Sequence, residues 1–514
     1  MKQRKGQYVW LLMVLMISLI ASGCGNSNAP DESGNNKGEA ANANNGEAAE
    51  KKLDPYKIVL VLPGSQPKDE QLVLDKVNVI LKEKINATLE IRSIDWSAWG
   101  DKTNLMFTSN EAFDLIFSAG WNGFSQQVGK GQFLPLDDLV KKYGGAFLDT
   151  IDPEIVNAAK VDGKLYGMVA NKEFAADKGL ILRKDLVDKY KFDLSAIKEL
   201  ADLEPLLKTI KDNEPDITPF IVNGGASPNA AILDYGYYDL LGDGPGELVR
   251  TGEGPKVISK IEDPKYMEYA KLMRKWYLAG YINKDAATLQ DVGKALGSGK
   301  AFAQTGSFKP GSNLENSRSQ GTELVEIQLM SPFTSTTDAT SAVLAISRTS
   351  KNPERAMMFV NLLFTDSDLM NLLINGIEGT HYVKKSDNII DFPEGVDGSN
   401  SGYPPSRNWM LGNLPLIHIW ANEDPNKWQS YSDYNESAEK SRALGFTFNA
   451  EPVKTEIAAT SNVEKEYKNV IVTGSVDPEE HIPVFIEKMK AAGMDKIIAE
   501  KQRQLDIWAK ANNK

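Results

Sequence analysis

YKIVLVLP, residues Tyr56 to Pro63, is a run of aliphatic and β-branched residues that stops at the breaker pair Pro63-Gly64, the pattern of a buried strand. Behind it, Val73, Val77, Ile80 and Leu81 fall at i, i+4, i+7 and i+8 within residues 68–85, the spacing of one apolar helical face. Ala87 to Ile94 reads as a second strand and Phe113 to Ala119 (FDLIFSA) as a third. Strands alternating with helices in this way predict a parallel sheet covered by helices, and such sheets take ligands beyond the carboxyl ends of their strands. Those ends carry Asp95-Trp96 and Gly120-Trp121-Asn122. One Trp there is as readily a core cap as a ligand platform, but two at equivalent strand ends shift the balance towards a site.

The chain around this segment has 514 residues, with 58 Lys plus Arg against 70 Asp plus Glu, a net charge of −12 and one cysteine. That length exceeds what one core organises, so two or more lobes are expected. An acidic surface repels nucleic acid and anionic lipid, which argues against either as the principal partner. One cysteine makes no internal disulfide, and with only His381, His418 and His481 beside it no metal site or other cofactor is expected.

The position of Cys24 is informative. Lys2, Arg4 and Lys5 precede an uncharged run from Tyr8 to Ile20; at about thirteen residues it falls short of the roughly twenty that a membrane span needs. Residues 1–23 therefore read as a secretory signal, and Ala21-Ser22-Gly23 before Cys24 is the pattern at which bacterial lipoprotein signals are cut and the cysteine is acylated. Residues 24–52 contain no aromatic and no large aliphatic side chain. They form a tether with a root-mean-square reach of roughly 30 Å. The expected location is the extracytoplasmic face of the cell membrane, held there through the lipid alone.

Enzyme signatures are sparse. No G-x-S-x-G elbow occurs, and GKALGSGKA (293–301) lacks both the first glycine and the final Ser or Thr of a phosphate loop, so it reads as a helix end and turn before a strand. With 70 acidic residues a glycosidase pair stays open, although no specific pair stands out.

FDLIFSAGWNGFSQQVGKGQFLPLDDLV (113–140) resembles the sugar-binding extracellular solute-binding proteins of ABC importers, the family that includes maltose-binding protein. The likeness continues through VDGKLYGMVANKEFAADKGLILRKDLVDKY (161–190), GKAF with TGSF (299–308), and SKNPERAMMFVNLLF (350–364). Beyond residue 366 the chain is similar to a Gram-positive lipoprotein branch of that family with an extended C-terminal region. The resemblance implies an α/β, two-lobed periplasmic-binding-protein-like fold, each lobe a sheet flanked by helices, with the ligand cleft between lobes. It assigns 53–168 and 326–368 to the first lobe and 169–325 and 369–514 to the second, with crossovers near 167–171, near 323–328 and after the 353–364 helix.

The resemblance further implies a monomer that is not an enzyme, a carbohydrate ligand, in our reading an oligosaccharide, and delivery to the transmembrane subunits of an ABC permease. A surface polysaccharide-degrading enzyme and a peptide or signalling receptor on the same fold are the alternatives. Sugar rings stack on aromatic faces while their hydroxyls take planar donors and acceptors. The ligand-binding candidates are accordingly Asp95, Trp96, Trp121, Asn122, Lys172, Glu173, Phe308, Tyr382, Trp409 and Trp420. The residues after FDLIF match positions that touch sugar in the family, and Phe308 matches its second-lobe stacking aromatic. Tyr266, Tyr269, Met273 and Trp276 repeat at helical spacing and read as core, His381 as a structural histidine, and Leu505 and Trp508 as docking contacts of a terminal helix.

Overall fold

A computed structural model describes residues 53–514, and Leu53–Lys514 forms one compact unit. The expected signal over 1–23, the expected lipidation site Cys24 and the expected tether over 24–52 lie outside the described residues. The first sheet has the order Ala87–Ile94, Tyr56–Pro63, Leu115–Ser118, Val343–Ile346, Met168–Val169. Its first three strands are parallel, as the alternation of strand and helix predicts, and Val343–Ile346 runs antiparallel. The Glu70–Ile85 helix buries Val73, Val77 and Leu81 against the sheet and ends at Asn86, which takes the left-handed conformation at φ 44°; Asn tolerates that region through its short polar side chain.

The second sheet has the order Glu439–Lys440, Leu324–Thr334, Ala176–Arg183, Ala301–Phe308, Thr218–Phe220. Its core includes the fully buried Trp276 together with Tyr269 and Met273 from the Pro264–Leu278 helix, while Tyr266 packs in the adjoining cluster under the C-terminal helices.

Two lobe assignments differ from expectation. Leu324–Thr334 pairs with Ala176–Arg183 from Leu324 to Phe333, so the chain returns to the first sheet over 335–342 and not at residue 326. A strand stays with the partner whose backbone groups it satisfies. Residues 369–417, expected in the second lobe, contribute Leu369, Leu373, Tyr403, Leu411 and Leu414 to the first core. The Ser367–Asn375 helix follows Pro353–Thr365 after a bend of 91°, which lays its apolar face on the Glu70–Ile85 helix.

Three passages thus join the lobes. The first covers 170–175, the second 335–342, and the third runs between residue 417 and Glu439–Lys440. The first and third are bonded to each other: the side chain of Asn435 accepts from the Phe174 amide at 2.7 Å and donates to the Lys172 carbonyl at 2.9 Å. After the third passage, the helices Lys454–Val472, Pro478–Ala491 and Met494–Ala511 pack on the second lobe, where Leu505 and Trp508 make the docking contacts that the sequence suggests.

Candidate ligand-binding cleft

Trp96 and Trp121 stand just past the ends of the two strands that flank Tyr56–Pro63 in parallel, on short 3-10 turns at Trp96–Ala98 and Gly120–Asn122. Their rings approach to 5.8 Å. Trp96 also stacks on Trp409 at 6.4 Å with 10° between planes, and both rings meet the edge of the buried Phe117. Trp96 is 43% and Trp121 51% exposed; indoles that a core required would not stay half in water. Trp121 is nevertheless held in place, since its Nε1 donates to the Ser341 carbonyl at 2.9 Å. Gly120 makes this possible: a Cβ there would lie 2.4 Å from Thr340 Oγ1, and its amide bonds the Thr340 carbonyl at 2.8 Å. The aromatic wall is thereby tied to the second passage between lobes.

Trp121 lines a cavity of about 220 Å³ between the lobes. The opposite side comes from Tyr235, Tyr238, Asp239 and Asp243, and Ser335, Thr337 and Asp338 supply the back. Tyr235 is 49% exposed and has the Lys178 ammonium 5.4 Å above its ring. It sits in the wide π-helical segment Asn229–Tyr237, a local geometry that recurs at functional sites. Burial pushes the Asp239 carboxyl up to about 7 against a hydrogen bond from the Ser441 hydroxyl, and burial raises Asp243 as well. Across the cleft the Gln126 side-chain amide donates to Asp243, so the lobes touch at the cavity edge.

A second cavity of about 440 Å³ lies on the other side of Trp96. Ser65, Lys68, Arg407 and Met410 are among the residues that line it. Arg407 is fixed by a buried ion pair with Glu70 at 2.7 Å and by donation to Ser93 Oγ at 2.7 Å. Because Trp96 borders one cavity and Trp121 the other, the two form a groove with a continuous indole wall. Such a surface takes an extended ligand with flat apolar faces and many hydroxyls. Among the described residues, no group of three or more His, Cys, Asp or Glu is placed to hold a metal ion.

A family model described as bacterial extracellular solute-binding protein matches residues 64–369. The chain belongs to this family. A second model, a domain of unknown function named DUF3502, matches residues 442–510. A carbohydrate ABC transporter substrate-binding protein of Streptococcus pneumoniae is 30% identical over 456 residues, 87% of this chain and 90% of the relative. Lipoprotein LipO of Bacillus subtilis is 24% identical over 73% of this chain and 74% of its own length. Among solved structures, the N-glycan transport solute binding protein NgtS of Streptococcus pneumoniae is 29% identical, with a TM-score of 0.80 over 90% of this chain and 100% of that one; its complex with Man5GlcNAc has a TM-score of 0.71 over 89% and 99%.

In this solute-binding protein the sequence candidates divide sharply. Trp96, Trp121 and Trp409 come together as one cluster. Asp95 beside them is exposed and accepts from the Ser65 hydroxyl at 2.8 Å; Asn122 adjoins Trp121 but lines neither cavity. Lys172 and Glu173 sit in the first passage as an ion pair at 2.9 Å, with Lys309 at 3.7 Å from the same carboxylate oxygen. Burial pushes the Glu173 carboxyl up, but the two ammonium groups outweigh it and hold it below the usual carboxylate range. Both candidates are held in an ion-pair cluster with Lys309 and line neither cavity.

Phe308 is corrected too. Successive strand residues point to opposite faces, and here Ser307 takes the exposed face while Phe308 packs against Ile181, Leu296 and Leu324. Tyr382 and Trp420 pack with Ile390 and Phe392 in a satellite cluster on a small three-stranded sheet, Trp420 within the strand Ile419–Trp420 and Tyr382 just before Val383–Lys384. His381 is buried and structural: its Nδ1 accepts from the Ile377 amide at 2.9 Å. Sequence reasoning missed Tyr235, Asp239, Asp243 and Arg407. A signal existed for the first three in the aromatic run Tyr235-Gly236-Tyr237-Tyr238 followed by the glycine-rich Gly242-Asp243-Gly244-Pro245-Gly246, the composition of a bent, ligand-facing loop.

Proposed function

We propose that this solute-binding protein captures an oligosaccharide outside the cytoplasm and delivers it to the transmembrane subunits of an ABC importer. The observation that carries this is the cleft wall: half-exposed Trp121 from one lobe and half-exposed Tyr235 from the other border one cavity, and Trp96 extends the indole surface into a second. Two aromatic platforms on opposite lobes bind a sugar only when the lobes approach, so ligand shifts the population towards the closed form. The length of the groove favours several sugar units over one, and N-glycan fragments of the Man5GlcNAc type are the first ligands to test, given the relative crystallised with one. The site binds and releases its ligand unchanged.

Titration with a panel of mannose–GlcNAc oligosaccharides, read by tryptophan fluorescence and melting temperature, should give saturable binding with no reducing ends released. Flat titrations across the panel overturn the reading, and release of reducing sugar that is lost with one cleft carboxylate turns it into an enzyme. The folded body acts as a monomer held by an acylated Cys24. The lipoprotein-type cleavage pattern Ala21-Ser22-Gly23 before Cys24 supports the anchor, and Cys24→Ala should shed the protein from cells into the medium.

A further inference from the structure

Lys501, on the terminal helix Met494–Ala511, has no solvent exposure. Its ammonium points into the loop Gly242-Asp243-Gly244-Pro245-Gly246 and donates to the carbonyls of Gly242 at 3.3 Å, Gly244 at 2.8 Å and Gly246 at 3.0 Å. An ammonium has three donors, and all three end on this loop. A fully buried lysine that meets carbonyls instead of a carboxylate is costly; burial pushes its amine down to about 8 even though Glu247 and Asp243 draw it the other way.

The loop it holds is intrinsically loose. Its three glycines have φ of 86°, 69° and 116°, values that glycine reaches freely and whose freedom must be lost on folding. The terminal helix and the Lys454–Val472 helix fit closely around it: a Cβ on Gly246 would lie 2.9 Å from Lys501 Cδ, and one on Gly244 3.1 Å from Ile457 and 3.5 Å from Ile497. Asp243, between the glycines, lines the cavity and accepts from Gln126 of the other lobe.

We infer that Lys501 is a positioning residue that sets Asp243 in the ligand wall, and that the C-terminal segment 442–510 shapes sugar recognition by bracing this loop without touching the ligand. The inference rests on the oligosaccharide reading for its ligand and on the loop geometry for its mechanism, and the test separates them. With Man5GlcNAc as probe in calorimetry, Lys501→Met should raise Kd about tenfold, the loss expected when charge-assisted hydrogen bonds that hold a contact are removed. In an Asp243→Asn background the same change should add almost nothing, because both act through one contact.

Gln502→Ala is the control. Gln502 braces the neighbouring Val257 amide and Pro255 carbonyl, which line neither cavity, so it should lower Tm and leave Kd unchanged. Amide exchange without sugar should speed up at Gly242, Asp243 and Gly244 in Lys501→Met and stay constant at Leu115–Ser118. Unchanged exchange, or an equal loss of affinity in both backgrounds, overturns the inference while the proposed function stands. Failure of the wild type to bind the probe removes the ligand reading, and exchange alone then decides the brace. If Lys501→Met does not fold, Lys501→Gln keeps some donor capacity and should give an intermediate rise in exchange; none would overturn the inference.

Discussion

The two walls of the cleft are built by opposite means. On the first lobe, Trp96 and Trp121 extend from the parallel strands Ala87–Ile94 and Leu115–Ser118, the second of them fully buried, and they lean on Phe117 and the Ser341 carbonyl. On the second lobe, Tyr235, Asp239 and Asp243 sit on a π-helical segment, a short strand and a glycine-rich loop, supported by the Met494–Ala511 helix and by Ser441. A wall on a sheet edge is rigid through its own backbone ladder. A wall on loops is only as fixed as the distant residues that brace it.

The largest effect should come from the support of the first wall. Replacing Arg407 by Ala leaves Glu70 as an uncompensated buried carboxylate, which costs about 3–5 kcal/mol. Urea unfolding followed by tryptophan fluorescence would measure it; a loss under 1 kcal/mol would mean that the first wall is not held from beneath in this way. Trp121→Ala should weaken oligosaccharide binding by about 2 kcal/mol, roughly 30-fold, as loss of a central aromatic contact does, with little change in Tm because half of the side chain is already exposed. On the second wall, Tyr235→Ala should cost about 1 kcal/mol of binding and Tyr235→Phe less. If Tyr235→Ala exceeds Trp121→Ala in calorimetry, the second wall dominates and the comparison inverts.

The second lobe should also show a pH dependence. Burial raises Asp239 from 3.8 to about 7, so between those values the folded protein binds more protons than the unfolded chain. Its contribution to stability is full below about pH 4 and is lost as the pH rises through about 7. Tm should therefore fall from pH 5 to pH 8, and Asp239→Asn should flatten that slope. Asp177, raised by burial and by Glu326 to about 6, keeps part of the slope in the variant. An unchanged slope would show that the Asp239 carboxyl ionises freely in the folded protein.

The same contrast explains what was legible in the sequence. Periodicity located Tyr56–Pro63 and Ala87–Ile94 to the residue and pointed to strand ends, so the position of Trp96 and Trp121 just past such ends was legible without tertiary information. Lys172, Glu173 and Phe308 lie outside both cavities because their side chains are engaged by residues distant in sequence, Lys309 for Glu173 and the Ile181 cluster for Phe308. The lobe boundaries slipped for a related reason. Leu324–Thr334 reads as a strand wherever it pairs, and only the partner strand decides the lobe.

By itself the sequence determined the three parallel strands of the first sheet, the Trp pair at strand ends, the buried face of the Pro264–Leu278 helix and the signal pattern before Cys24. Each is encoded within a few turns or strand lengths, where apolar spacing and breaker residues act locally. Only the tertiary structure decided which aromatics remain open to ligand and how the second wall is held. Gly244 and Lys501 are 257 residues apart in the chain. Their bond exists because the terminal helix buries Ile497 and Leu505 against the second lobe, an apolar gain that sequence spacing alone does not assign to a partner.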